Sequence, residues 1–139
     1  MSHAYFPGYL NTPWGTDTAK VMKTFPRGTL GRLHNQVIYK QTHPTRDIRQ
    51  RSFAFRDNRL FAITVSFAPS YVNRIGLENL LAKYQKTFGP GQMDRTNAPH
   101  LISCVWEDDK TRITFAYAPR KPDYTVLMFQ LKTGDSPGQ

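Results

Sequence analysis

Histidines are the side chains of this sequence best suited to hold a metal ion, and their spacing argues against that role. The four are widely separated along the chain: His3, His34, His43 and His100. No two have the i,i+4 spacing of a helical zinc site, and none lies beside a cysteine. His43 and His100 each adjoin a proline, which is typical of loop residues. The sequence therefore predicts no metal site.

An acidic pair and a single cysteine are the other candidates for chemistry. Asp108-Asp109 stands between two predicted strands, where adjacent acids are typical of a hairpin turn rather than of acid–base catalysis. Cys104 lies among Ile102 and Val105, a setting that predicts a buried, inert thiol. No G-x-S-x-G, P-loop or G-x-G-x-x-G pattern is present. We therefore expect no catalytic residue and no cofactor, and a small hydrolase with an unrecognised site is the weakest functional hypothesis.

Positive charge is the sequence feature that points to a function. The net charge is +9; residues 1–69 carry ten Lys and Arg against three Asp and Glu, whereas residues 70–139 carry nine against seven. The densest stretch, residues 40–59, contains six basic residues that we predict to form a binding surface: Lys40, Arg46, Arg49, Arg51, Arg56 and Arg59. Such an excess attracts a polyanion, which includes nucleic acid, anionic lipid and acidic protein.

Two interpretations of the arginines remain open at this point. Arg49 and Arg51 share strand parity with Phe53 and Phe55, so guanidinium groups could border an aromatic face of the kind that binds single-stranded nucleic acid. Alternatively, the phenylalanines face the core and the arginines are solvated. The aromatic signature of the common RNA-binding sheet is absent.

The best-marked element is a predicted helix over residues 73–88. Its apolar stripe consists of Leu77, Leu80, Leu81, Tyr84 and Phe88. These positions fall within about 100° of one another, which is wide enough to bury against a sheet. Asn73 is the expected N-cap, with Ser70 as the alternative, and Gly89-Pro90 is expected to end the helix.

A shorter helix and several strands account for most of the remaining chain. Thr16 is the expected N-cap of the short helix, which Pro26 ends. Period-two alternation on both sides of Asp57-Asn58 predicts a hairpin. Its second strand would place four residues on the core face: Phe61, Ile63, Val65 and Phe67. Further strands are predicted over residues 36–41, 101–107, 112–118 and 124–132.

An internal echo bears on the architecture. Residues 63–69 and 113–119 match at an offset of 50 with four identities. Either two hairpins of one sheet have converged on similar residues, or the chain repeats an α-β-β-β unit twice. We predict an α+β fold: a single antiparallel sheet of about six strands with two helices on one face, and with this pseudo-repeat as the finer hypothesis.

The chain is expected to form a single domain over residues 1–139, with its core at about 13–132 and flexible ends at 1–5 and 133–139.

No apolar run is long enough to span a membrane. The first residues lack a signal-peptide pattern, and one cysteine leaves both compartments open. We expect a periplasmic or secreted protein, with the cytoplasm as the alternative. Both faces of the 124–132 strand are largely apolar, so a homodimer also stays open.

Short motifs in a characteristic order carry a resemblance. Pro13-Trp14-Gly15-Thr16 opens a short helix, FRDNRL leads into a strand, the long helix ends in KTFGP, and a strand with Trp106 follows. Over residues 13–118 this order is similar to small exported bacterial proteins of unknown function, and to the helix-plus-meander modules of the outer-membrane lipoprotein SmpA and of β-lactamase inhibitory protein. This sequence shows no lipidation cysteine near its start.

The resemblance implies a non-enzymatic, protein-binding role in the cell envelope. We therefore expect a binding or assembly module of the bacterial cell envelope that recognises an anionic or protein partner through its basic surface. The alternative is a nucleic-acid-binding protein, for single-stranded DNA or RNA, that uses the same arginines.

Overall fold

A computed structural model of the chain describes residues 6–132. The predicted flexible ends, residues 1–5 and 133–139, and His3 lie outside this range. Within it the helices are α1 (Thr18–Thr24), α2 (Pro69–Ile75) and α3 (Leu77–Phe88). The strands are β1 (Thr29–Leu33), β2 (Gln36–Thr42), β3 (Ile48–Arg56), β4 (Arg59–Phe67), β5 (Gln92–Asp94), β6 (Ile102–Glu107), β7 (Thr111–Ala118) and β8 (Lys121–Leu131). These residues contain no helix long and apolar enough to cross a membrane.

The strands form one antiparallel sheet in the order β1-β2-β3-β4-β8-β7-β6-β5. Each half of the chain folds as a four-stranded meander, and the two meanders join where Ile63 of β4 lies opposite Phe129 of β8. The predicted α+β class and single antiparallel sheet are confirmed. The prediction of about six strands is wrong, because β1 has five exposed residues without alternation and β5 has only three residues.

The predicted helix over residues 73–88 is two helices, which raises the number from the predicted two to three. Gly76 separates α2 from α3 with φ +92° and ψ 139°, a backbone conformation that favours glycine. Neither Asn73 nor Ser70 is an N-cap, since both lie inside α2, which begins at Pro69. Pro at the first helical position suits the missing N–H there. The predicted end of the helix before Gly89 is confirmed.

The short helix α1 begins one residue later than predicted. Asp17, rather than Thr16, is the N-cap, and its carboxylate accepts a hydrogen bond of 2.8 Å from the Lys20 backbone N–H. Val21 and Phe25 are buried, as the apolar spacing of this helix requires.

The β3–β4 hairpin is confirmed, with Asp57 and Asn58 both at positive φ in a two-residue turn. Its core face differs from the prediction by one residue. Phe55 lies opposite Leu60 and Ala54 opposite Ala62, so Phe61 is the extra residue of a β-bulge. Leu60 is therefore fully buried in the place predicted for Phe61.

The sequence echo does not mark the structural repeat. Residues 63–69 lie in β4 and the start of α2, whereas 113–119 lie in β7 and the following turn. In the strand order the counterpart of β4 is β8, not β7. Each half contains four strands after its helical segment, so the predicted α-β-β-β unit is one strand short.

The two faces of the sheet differ: the covered face carries the core, whereas the open face is half-buried or exposed except around Ala116 and Val126, which are buried. A row of residues in register on the covered face is buried: Tyr39, Phe53, Ile63, Phe129, Ile113 and Trp106. Val21 of α1, Val72 of α2 and Leu80 of α3 complete this core. All three helices therefore pack on the covered face.

Residues 6–16 also lie on the covered face and connect the two halves of the sheet. The buried Phe6 ring lies 4.9 Å from the Phe129 ring and 4.7 Å from the Trp14 ring, measured between centroids. The Trp14 indole N–H donates to Thr111 Oγ1 at 2.9 Å. The packed core thus includes Phe6, ahead of the predicted start at residue 13.

The contact between Gly28 and Tyr39 gives a test of the packing at the start of β1. A Cβ at Gly28 would overlap the Tyr39 ring, whereas a Cβ at Gly31 would meet nothing within 4 Å. We expect Gly28→Ala to lower the free energy of unfolding by roughly 1–3 kcal/mol. The matched Gly31→Ala should change it by less than about 0.5 kcal/mol. Urea denaturation of both variants checks this, and equal effects would contradict the packing.

Candidate functional site

The open face of the sheet is a surface that no helix among residues 6–132 covers. One residue from each strand forms a continuous row in register across it: Thr29, Lys40, Ser52, Thr64, Met128, Thr114, Val105 and Gln92. No member of this row is buried, in contrast to the buried row of residues on the covered face. The open face is therefore the first candidate for a binding surface.

Charge divides the sheet into two unlike halves. Strands β1 to β4 contain no acidic residue and six basic ones: Arg32, Lys40, Arg49, Arg51, Arg56 and Arg59. Strands β5 to β8 contain three acidic residues and two basic ones. Glu107 of β6 pairs with Arg112 of β7 and with Lys132, which follows β8. The Arg112 guanidinium lowers the pKa of the Glu107 carboxyl. Among the strands, the excess of positive charge thus lies in β1 to β4.

The structure separates the six predicted binding residues. Lys40, Arg56 and Arg59 project from the open face, and the Arg56 guanidinium lies 4.2 Å from the centroid of the Phe61 ring. The alternation of side chains along β2 and β3 places Lys40 and Arg56 on the open face. The pairing of Arg56 with Arg59 places Arg59 there too.

Arg46 and Arg49 are exposed near the start of β3, apart from the open-face group. Arg46 lies in the loop that precedes β3, and Arg49 lies at a β-bulge, where its Nη2 donates to the Asp123 carbonyl at 3.1 Å. The Arg49 guanidinium thus contacts the chain near the start of β8. That these exposed arginines bind a partner stays a prediction.

Arg51 is not part of the exposed surface. Its side chain faces the core and only 7% of the residue is exposed. Its Nε donates to Gln41 Oε1 at 2.8 Å and its Nη1 donates to Tyr9 Oη at 3.0 Å. Its Cζ lies 4.8 Å from the ring centroid of Phe25 and 5.9 Å from that of Phe53. Both sequence interpretations placed Arg51 at the surface, and neither holds for this residue.

The buried guanidinium has no ionic partner among residues 6–132, since no carboxylate there lies within 4 Å of it. Aromatic faces and neutral acceptors stabilise the cation instead. Gln41 in turn donates from Nε2 to the Pro26 carbonyl at 2.8 Å. The contacts of Arg51 therefore join the N-terminal segment, the end of α1 and two strands.

Within the described part of the chain, no three His, Cys, Asp or Glu side chains come together as a metal site. Asp108 accepts hydrogen bonds from the backbone N–H groups of Lys110 and Thr111, which is the turn role predicted for it. Cys104 is fully buried, as predicted, and burial raises the pKa of its thiol.

A cleft on the covered face was missed by the sequence interpretation. It has a volume of about 330 Å³ and lies above β4 and β8, between residues of the N-terminal segment and of α2 and α3. Tyr9, Tyr71 and Tyr84 are among its lining residues. Aromatic residues that line a cleft and those that fill a core follow the same sequence pattern, so the spacing gave no signal.

Comparisons with known proteins bear on the fold alone. No family model and no curated protein matches this sequence. The structure is similar to the crystal structure of a DUF4309 family protein (YjgB) from Bacillus subtilis, with a TM-score of 0.52 and 14% sequence identity. The similarity covers 84% of this chain and 78% of that chain. It supports the α+β architecture with its antiparallel sheet.

The buried Arg51 leads to a prediction about stability. Arg51→Ala should lower the free energy of unfolding by roughly 2–4 kcal/mol, because it opens a cavity and leaves Gln41 and Tyr9 without a donor. Arg51→Met should cost less, because an apolar side chain of similar length fills the aromatic surroundings without a buried charge. Chemical denaturation measures both, with Lys40→Ala as the exposed control. Equal losses for Arg51→Ala and Lys40→Ala would contradict the buried position.

Cys104 gives a second prediction. Because the thiol is buried and its pKa is raised, a thiol reagent such as DTNB should not react with the native protein at pH 8 on the timescale of minutes. The same reagent should titrate one thiol promptly in urea. Rapid reaction of the native protein would show that Cys104 is accessible.

Proposed function

We propose that this protein is a non-enzymatic binding module that recognises an acidic surface of a partner protein through the open face of its sheet. The observation that carries the proposal is the row of eight unburied side chains across a sheet whose other face holds all the helices. A sheet face with no helix over it leaves a surface on which a protein partner can dock.

Charge favours an acidic partner. The basic half of the open face presents Lys40, Arg56 and Arg59. None of the three forms an ion pair within residues 6–132, although Asp57 lies in the turn between the two arginines. Complementary charge steers association and disfavours wrong partners. The net charge of +9 also disfavours a second copy of the chain as the partner. A location in the cell envelope stays a prediction.

The experiment uses two charge-reversal variants that differ only in where the charges lie. The open-face variant is Lys40→Glu, Arg56→Glu and Arg59→Glu, and the control is Lys20→Glu, Lys23→Glu and Lys86→Glu on the helices. Each is used to capture proteins from an extract of the source organism, followed by quantitative mass spectrometry. We expect the open-face variant to lose the partner captured by the wild type by roughly tenfold or more, and the control to retain it.

A steric variant keeps the charge constant. Thr64 lies at the middle of the open-face row, so Thr64→Tyr should obstruct a partner without removing a basic residue. Retention of the partner by both Thr64→Tyr and the open-face charge variant would contradict the proposal.

Nucleic acid is tested with the same proteins. Binding of fluorescent (dT)20 and (rU)20 is measured by anisotropy between 50 and 200 mM salt. Steeply salt-dependent binding that the open-face variant loses would replace the acidic protein with nucleic acid as the ligand.

A further inference from the structure

The cleft on the covered face is large enough to admit a small molecule. Its volume of about 330 Å³ falls at the lower end of the range for ligand pockets. Its floor is apolar and consists of Val65 and Phe67 of β4 and Leu127 and Phe129 of β8. These side chains suit the apolar body of a ligand.

The polar groups that line the cleft are the hydroxyls of three tyrosines and of Thr45, the Lys83 ammonium and the Asp47 carboxylate. Tyr71 and Tyr84 line the cleft, and neither hydroxyl donates to a residue within 6–132. Burial raises the pKa of the Tyr84 phenol well above its usual value, and the neighbouring Tyr71 and Tyr9 phenols add to the effect. The phenol therefore keeps its proton at physiological pH and remains a donor.

Tyr9 connects the cleft to the buried charge of Arg51. Its oxygen accepts a hydrogen bond from the Arg51 guanidinium at 3.0 Å, so its own hydroxyl proton is left to donate elsewhere. A donor bond from a guanidinium polarises the phenol and strengthens it as a donor. Because no carboxylate among residues 6–132 neutralises Arg51, this phenol favours an anionic acceptor.

The charged residues of the cleft also favour an anionic ligand. Lys83 lines it and has no carboxylate within 4 Å in the described part of the chain; its Nζ lies 5.6 Å from the centroid of the Tyr84 ring. The lining carboxylate, Asp47, is already paired with Arg74 at 3.2 Å. Lys83 is thus the uncompensated charge of the lining.

We propose that the cleft binds a small carboxylic acid, with its apolar body on β4 and β8 and its carboxylate held by the Tyr9 hydroxyl and the Lys83 ammonium. This inference is independent of the proposed function, since it concerns the opposite face of the sheet.

The test compares an acid with its neutral analogue. Isothermal titration calorimetry of the full chain uses 4-phenylbutyrate against 4-phenyl-1-butanol, and decanoate against 1-decanol. We expect at least one acid to bind about tenfold or more tightly than its alcohol. Whichever acid has the lower Kd shows whether the apolar body of the ligand is aromatic or aliphatic. Equal affinity for acid and alcohol, or no binding of either acid at millimolar concentration, would overturn the proposal.

Variants locate the binding. Tyr9→Phe and Lys83→Gln should each weaken the acid roughly 10- to 100-fold and leave the alcohol nearly unchanged. The matched controls are Tyr124→Phe and Lys86→Gln, which alter an exposed tyrosine and another lysine of α3 outside the cleft. Thermal unfolding confirms that each variant is folded. Acid binding that both cleft variants retain while folded would place the ligand elsewhere and overturn the assignment.

Discussion

The pairing of β4 with β8 is the constraint on which the rest of the structure depends. It joins two meanders into one sheet and puts the apolar faces of both halves on the same side. All helices must then pack on that side, because that is where the apolar surface needs cover. The open face and the cleft are both consequences: one is the side the helices do not reach, and the other is the space above the seam between the halves.

The position of Arg51 shows that a run of basic residues in a sequence does not reveal which of them is buried. It belongs to a run of basic residues along β3, yet alternation places it on the covered face beside Phe53. Its guanidinium is accommodated by aromatic rings and two neutral side chains rather than by an acid. Such an arrangement needs partners distant in sequence, among them Tyr9 at the N-terminal end. The basic surface and the buried cation are therefore separate features of the same strand.

Local patterns predicted the elements well where one face is fully buried. The β3–β4 hairpin and the end of α3 follow directly from Asp57-Asn58 and Gly89-Pro90. The two outermost strands carry no such pattern, because an edge strand beyond the helices has no buried face to reveal it. The bulge at Phe61 puts Leu60 rather than Phe61 on the core face. Because both residues are apolar, the hydropathy pattern does not reveal the bulge. The tyrosines that line the cleft have the same hydropathy pattern as core residues, so the sequence does not distinguish them either.

The strand order also has a consequence for the timing of folding. β4 is hydrogen-bonded on one side by β3, its neighbour in sequence, but on the other side by β8, the final strand. At a typical synthesis rate of roughly 5–20 residues per second, β4 waits several seconds for its second partner. During that interval the first meander presents a free apolar strand edge. A growing chain is then most exposed to aggregation at the strand that later lies at the centre of the sheet.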